Sequence, residues 1–397
     1  MIRSPLHQQV DTLPELVRAM IDPLVRVIQL ELPEAVCRQV QRVFLTGCGD
    51  SHHAVLNAEL AFEQLAGLPC EPMTALQMGR YTAQFLPDTG RGTNLLLAVS
   101  VSGAVSRTIE ALTLVRQTGA VGVAVTGSAS SPLAQAAEIV LTTPALSGVE
   151  VAVPPLPDEL QGMIVPGTRS YIASQLALYL TAIHLGQIRG RLSKKEANQL
   201  RHELADMADL MEQTIAASDP AARRLAQDWL NADQFVFCGA GPNYGTALFS
   251  AAKVLEASGD TAVAQDTEEW AHLQYFARQI ATPTIIISAG GQDESRALEI
   301  ATAAHHIGRR VAIIAPTGSQ LTQTRDKDAL LPIAGPVREA FSPLLTCLPG
   351  VLFAAYRAQA IGEPYFRDFG GGRSIEGGGG ISRIRDSKMI ERAKRDT

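Results

Sequence analysis

The sequence predicts an α/β protein made of two tandem parallel-sheet domains, on three observations. First, Val43-Phe-Leu-Thr-Gly-Cys-Gly-Asp-Ser51 is a short apolar strand running into a Gly-x-Gly turn and a helical pattern, and Phe235-Val-Phe-Cys-Gly-Ala-Gly-Pro242 repeats it about half a chain later. Second, strand and helix patterns alternate after each copy, which implies βαβ crossovers. Third, the strands are nearly continuous apolar runs, as in a sheet covered on both faces.

Residues 1–40 form a helical segment in which Pro5, Pro14, Pro23 and Pro33 separate short pieces. The first α/β domain occupies residues 41–190. Its strands are Val43–Thr46, Leu95–Val99, Val121–Val125 and Ile139–Thr142, with helices at His52–Ala66, Val105–Gln117 and Pro132–Ala137. Residues 144–167 carry four prolines within Pro154–Pro166 and read as a covering loop, followed by an apolar helix at Ser170–Leu185. A polar helix, Ser193–Ala216, lies in a linker at 191–230. The second domain, 231–365, has strands at Gln234–Cys238, Thr284–Ser288, Val311–Ala315 and Ala329–Pro332 and helices at Asn243–Ala257, Asp293–His306 and Glu339–Ile361. The tail, 366–397, is too glycine-rich to pack a core of its own and is either disordered or a lid.

Composition narrows the function classes. With 46% apolar and 19% charged residues and a net charge of −6, the chain has ample core and no basic block for nucleic acid. No apolar run reaches membrane-spanning length and the N-terminus lacks a signal-peptide core, so a cytoplasmic location is expected. Five cysteines, with no C-x-x-C spacing, read as free thiols in a reducing compartment.

Both strand–glycine–helix junctions aim backbone N–H groups at one point, which suits an anion. In the first domain Ser100-Val-Ser-Gly-Ala-Val-Ser106 opens a second such helix beside Ser51, at the strand ends where ligands bind in parallel sheets. One serine alone would be only a helix cap; several at neighbouring strand ends point to a site. The matching turn of the second copy, Ser288-Ala-Gly-Gly-Gln-Asp-Glu-Ser295, adds Asp293 and Glu294, which repel an anion, so one anion site per chain is expected. Gly47-Cys-Gly49 has His52 where a third glycine would stand, and no acidic residue at a second-strand end about 20 residues on, so it does not read as a dinucleotide fingerprint. No histidine or acidic cluster has metal-ligand spacing, so neither metal nor other cofactor is expected.

The chain resembles the sugar isomerase (SIS) domain family, and within it the two-domain isomerase portion of the glucosamine-6-phosphate synthases. The likeness is carried by Leu6-His-Gln-Gln-Val10, Cys48-Gly-Asp-Ser51, Leu65-Ala-Gly-Leu-Pro-Cys70, Ser100-Val-Ser-Gly103, Val165-Pro-Gly-Thr-Arg-Ser170 and Gly239-Ala-Gly-Pro-Asn-Tyr-Gly-Thr-Ala-Leu248. Ala252-Lys-Val-Leu-Glu256 resembles the family's Lys-x-x-Glu catalytic helix, and His272 stands sixteen residues beyond the glutamate, where the family has its ring-opening histidine. The resemblance implies flavodoxin-like three-layer SIS domains. It also implies a substrate site at Cys48, Gly49, Asp50, Ser51, Ser100, Val101, Ser102, Val105, Gly167, Thr168 and Arg373. Four of these depart from the family pattern. Val105 replaces a hydroxyl residue, Asp50 a Thr or Ser, Gly167 a Ser and Arg373 the terminal lysine, so the anion cradle is thinner, with Arg107, Arg169 or Arg373 to supply charge. No amidotransferase domain is recognised, so glutamine hydrolysis is not expected.

The implied reaction is aldose–ketose isomerisation of an anionic hexose, a sugar 6-phosphate or amino-sugar 6-phosphate, through an enediol. A carboxylate base suits it, and Glu256 lies one turn after Lys253, on the same helix face, where the ammonium can meet enediolate charge. His272 opens the ring, with Glu269, one turn before it, either holding its tautomer or simply exposed; His52, His53, His305 and His306 read as structural. Alternatives are an amino-sugar-phosphate deaminase/isomerase, an isomerase of a hexose with another C6 anion such as a sulfonate, and a non-catalytic sugar-phosphate sensor. Because His272 sits in the short segment Asp266–Phe276, and the family delivers this histidine from the neighbouring subunit, a homodimer with shared sites is expected. The partners are then a small sugar and a second copy, with no nucleic acid and no membrane.

Overall fold

The structure is a computed structural model that describes residues 3–86, 92–143, 158, 163–323, 329–374, 376–378 and 384–391. The chain opens with helices α1 (Pro5–Asp11), α2 (Leu13–Glu31) and α3 (Glu34–Gln39). Next come β1 (Arg42–Gly47), α4 (Asp50–Ala61), β2 (Cys70–Thr74), β3 (Asn94–Val99), α5 (Ser106–Arg116), β4 (Val121–Thr126), α6 (Pro132–Ala136) and β5 (Ile139–Thr142). The long helices α7 (Arg169–Ile188) and α8 (Lys194–Asp228) follow. The second series is β6 (Gln234–Gly239), α9 (Pro242–Ser258), β7 (Thr261–Asp266), α10 (Thr267–His272), β8 (Pro283–Ile287) and α11 (Glu294–His306). It ends with β9 (Arg310–Pro316), α12 (Gln320–Gln323), β10 (Ala329–Ile333) and α13 (Pro343–Ile361).

The predicted fold class holds. Each series makes a five-stranded, all-parallel sheet, in the orders β2-β1-β3-β4-β5 and β10-β9-β8-β6-β7. Counted within each series these are the same order, 2-1-3-4-5. The repeat extends to single dihedral angles: Gly49 and Gly241 precede α4 and α9 with φ 56°, ψ −130° and φ 52°, ψ −131°. Only glycine takes that conformation without strain. The central strands β3 and β4 are buried along their whole length, and Phe44, Leu96, Leu112 and Val115 form one core, Val236, Trp270, Ile286 and Ile313 the other.

The structure adds two strands that the apolar pattern missed. β2 (Cys-Glu-Pro-Met-Thr) and β7 (Thr-Ala-Val-Ala-Gln-Asp) lie at sheet edges and are only partly buried, so neither needs an apolar run. Pro14 stands at the break between α1 and α2, in the first turn of α2, whereas Pro23 does not separate pieces: it lies inside α2. The last long helix starts at Pro343, after a single tight turn at Glu339–Phe341, and not at Glu339. That helix, α13, is long and apolar enough to cross a membrane, contrary to the sequence reading, but it is a mostly buried core helix. α9 packs on it closely enough that a Cβ at Gly350 would lie 2.3 Å from the Ser250 hydroxyl.

The chain forms two compact units that are not simple halves. The first sheet's unit draws on residues 15–154, 169–205 and 369–397, and the second sheet's on 1–14, 155–168 and 206–368. The opening residues therefore pack with elements made late. Ser4 and the Leu6 amide meet the Tyr365 hydroxyl at 3.0 and 3.3 Å, and the buried His7 ring stacks on Tyr356 at 4.1 Å.

The tail expected to be disordered or a lid packs along α5 over residues 384–391. The Ser106 hydroxyl donates to the Arg385 carbonyl, Ile390 N–H donates to Glu110 at 2.6 Å, and Gln117 donates to the Glu391 carbonyl at 2.8 Å.

Candidate active site

In the first unit β1 and β3 are adjacent, and their turns meet where the strand order reverses, the position at which such sheets bind ligands. After β1, Cys48 is half-buried with Thr108 as its hydroxyl neighbour at 3.7 Å, and burial raises its thiol pKa. Gly49 precedes α4, and Asp50 opens that helix with its carboxylate 3.6 Å from His53 Nδ1. Ser51 is half-buried in the same first turn. His52 is held neutral, pushed down to about 4 by burial and then by His53.

After β3, Ser100 is buried and Ser102 exposed, its hydroxyl accepting from Ala104 N–H at 3.3 Å. The Val101 carbonyl accepts from Gly127 N–H at 2.9 Å, which ties the turn to the end of β4. Gly103 has φ 60°, and a Cβ there would lie 2.1 Å from the Ser131 hydroxyl. Val105 occupies the N-cap of α5 and offers no side-chain acceptor, so no side chain caps this helix. Thr108 N–H donates to the Val105 carbonyl at 3.0 Å, and the helix dipole puts partial positive charge at this end. Arg107 is not a spare cation for that anion. It is engaged by the buried Glu110 carboxylate and by the Ser387 and Lys388 carbonyls, and Arg80 reaches the same carboxylate at 3.1 Å. Arg373, an exposed side chain, donates to the Gly370 carbonyl at 2.9 Å. Arg169 is buried, and burial lowers its pKa.

Gly167 and Thr168 fall in the other unit. Thr168 is fully enclosed, and its N–H (2.5 Å) and hydroxyl both donate to Gln9 Oε1 of α1. The N-terminal motif therefore holds this loop.

In the second unit the turn after β8 is filled by the protein's own carboxylates. Ser288 Oγ donates to Asp293 at 2.8 Å, and Gln292 N–H faces the Glu339 carboxylate at 3.4 Å. Asp293 and Glu294 were foreseen, whereas Glu339, far along the chain, could not be placed from sequence. Asp293 is pushed up to about 6, first by burial, with Glu339 and Glu294 adding to it and Ser288 opposing it. Its folded-state pKa lies above the ordinary 3.8, so it costs stability as pH rises through that interval, and the cost is complete above about 6. Asp293→Asn is expected to raise unfolding free energy by about 1–2 kcal/mol at pH 7 and by much less at pH 4, as read by chemical denaturation at both pH values.

The same unit carries the expected acid–base residues Lys253, Glu256 and His272. The start of α9 is pinned to α13 by Asn243, which donates to Ser342 at 3.0 Å and accepts from Thr346 at 2.7 Å. Three turns on, Lys253 is completely buried, 4.8 Å above the Phe249 ring, and its Nζ donates to Glu256 Oε2 at 2.5 Å. Glu256 keeps 30% of its side chain exposed. The pair thus sets a wholly buried amine against a carboxylate that stays partly open to solvent. His272 ends α10 with 64% of its side chain exposed. Its Nε2 lies 3.2 Å from Glu268, which Arg296 grips at 2.6 and 3.0 Å. The carboxylate beside the ring is thus Glu268, four residues back and facing α11, and not Glu269. The hydrogen bond from Arg296 holds Glu268 below the usual carboxylate range. Among the described residues no group of three or more His, Cys, Asp or Glu is arranged to hold a metal ion.

Residues 37–184 match the SIS domain family, and the match spans the five-stranded parallel sheet and both of its turns. As a whole, the chain is similar to proteins named glutamine–fructose-6-phosphate aminotransferase (isomerizing). Identity is 26% over 353 residues to the Gloeobacter violaceus protein, covering 89% of this chain and 54% of that one. It is 28% over 361 residues to that of Symbiobacterium thermophilum, covering 90% and 56%. The chain therefore spans about half the length of the curated relatives it matches. Among solved structures it resembles the C-terminal domain of glucosamine-fructose-6-phosphate aminotransferase from Francisella tularensis, with TM-score 0.77, 18% identity, and coverage of 91% of this chain and 97% of that one. It also resembles tagatose-6-phosphate ketose/aldose isomerase from Escherichia coli, with TM-score 0.70, 15% identity, and coverage of 91% and 94%. At these identities the structural likeness establishes the fold.

Proposed function

We propose that the chain is an aldose–ketose isomerase acting on a hexose with an anion at C6, most simply a hexose 6-phosphate or amino-hexose 6-phosphate, without metal or other cofactor. The observation that carries this reading is the Lys253–Glu256 pair, a fully buried ammonium 2.5 Å from a carboxylate that stays partly open. The words "isomerizing" and "ketose/aldose isomerase" in the names of similar proteins support it.

In this mechanism His272 opens the ring by taking the O1 proton while the ring oxygen gains one and the C1–O bond breaks. Glu256 removes the C2 proton of the open aldose. The C1 carbonyl becomes the enediolate oxygen, stabilised by Lys253. Glu256 then returns the proton to C1 as the C2 carbonyl forms and a hydroxyl proton passes from O2 to O1. The uncapped start of α5, with Ser100 and Ser102, seats the C6 anion. Val105 and the engagement of Arg107 leave few donors there, which favours testing a sulfonate beside the phosphate.

We further propose a homodimer in which His272 serves the partner's Glu256. The exposed apolar side chains beside the histidine, Leu273, Phe276 and Ile280 at 56%, 75% and 58%, support a covered surface there.

The test is proton exchange in deuterated water, at C2 of glucose and glucosamine 6-phosphates and of the 6-sulfonate of glucose, and at C1 of fructose and tagatose 6-phosphates. Exchange with at least one is expected, lost when Ser100 and Ser102 are both alanine, since each donor to a charged acceptor is worth about 1.5–3 kcal/mol. Ammonia release with glucosamine 6-phosphate would shift the reading to the deaminase. Binding without exchange would make the chain a sensor.

A further inference from the structure

Phe366, Arg367, Asp368 and Phe369 have φ of 53°, 56°, 47° and 54°. L-amino acids enter this left-handed region singly if at all, so four successive non-glycine residues there need a structure that holds them. The hold is at Arg367. Its Nη1 donates to the Leu255 carbonyl at 2.7 Å, and its Nη2 donates to the carbonyl of Glu256 at 2.8 Å and to Pro364 at 3.1 Å. Nε lies 3.2 Å from the Glu363 carboxylate. Gly259, just past α9, leaves the room: a Cβ there would lie 2.3 Å from Nη1.

The α9 C-terminus does not need this arginine merely to end. Gly259 is left-handed at φ 76°, and its N–H already caps the Leu255 carbonyl at 3.2 Å, an ordinary helix stop. What Arg367 adds is a bond to the Glu256 carbonyl, in the last turn, where helices fray. A cation there also complements the helix dipole.

We propose that Arg367, presented by the left-handed turn, is a positioning residue that fixes the last turn of α9 and so holds Glu256 against Lys253 in the geometry that proton transfer requires. This rests on Glu256 being the base. Proton abstraction is sensitive to small displacements, and a misplacement of about 1 Å can cost on the order of a hundredfold in rate.

The experiment uses the full chain and the hexose 6-phosphate that the wild type exchanges fastest. Arg367→Ala is expected to lose about ten- to hundredfold in kcat with KM nearly unchanged. Millimolar guanidinium ion should restore part of the rate by occupying the vacated place, and Arg367→Lys should fall between the two. Thermal unfolding of each variant confirms the fold, and Arg367→Lys carries the test if Arg367→Ala does not fold. The proposal is overturned by a wild-type kcat in Arg367→Ala beside an inactive Glu256→Gln. A loss confined to KM, or a kcat loss in folded protein that neither guanidinium nor lysine relieves, overturns it equally. An active Glu256→Gln, or a wild type that exchanges no proton, removes the base assignment and this proposal with it.

Discussion

Glu256→Gln is expected to lower isomerisation by about 10²–10⁴-fold while sugar binding stays within a few-fold. The amide keeps the shape of the side chain and can still accept from Lys253, but it cannot take a proton from carbon. The readout is C2-proton exchange beside direct binding by calorimetry. Because the Lys253 ammonium is wholly buried and its partner 30% exposed, the variant also loses a compensating charge. A lower unfolding temperature at unchanged fold is therefore expected. Near-normal turnover in a folded variant would move the base elsewhere.

The second large effect concerns assembly. His272→Ala is expected to be inactive on ring-closed sugars, and mixing it with Glu256→Gln should restore activity. Within one chain His272 bonds Glu268 and Glu256 bonds Lys253, so each side chain is organised by its own neighbours. If the working site joins Glu256 of one copy to His272 of another, a mixed dimer holds one intact site of two, and random exchange should recover roughly a quarter of wild-type activity from the two-fold symmetry. Sedimentation and subunit-exchange measurements accompany the assay. No recovery in mixtures shown to exchange would mean that the site is built within one chain.

Much of this was legible in the sequence, for identifiable reasons. The junctions at Gly47–Ser51 and Gly239–Asn243 could be read because a glycine with no room for a Cβ and another at positive φ leave a local signature. Lys253 and Glu256 could be paired because helical spacing alone puts them on one face. Edge strands β2 and β7 escaped because half of each faces away from the core. Glu268 was missed in favour of Glu269 because the choice depends on Arg296 of another helix. The Glu110 engagement of Arg107 and the arrival of Glu339 at the second turn are likewise contacts between distant residues, which periodicity does not report.

The packing of the opening residues with the second sheet's unit bears on how the protein is made. Ser4 and His7 leave the ribosome some 350 residues ahead of their partners Tyr356 and Tyr365. At synthesis rates of about 5–20 residues per second the first segment waits tens of seconds with its seat unbuilt. The first sheet's strands can close during that wait, whereas the second unit cannot finish until residue 365 has been added. During translation the nascent chain therefore carries α1, with Leu6 and Val10 to bury, long before α13 can cover it.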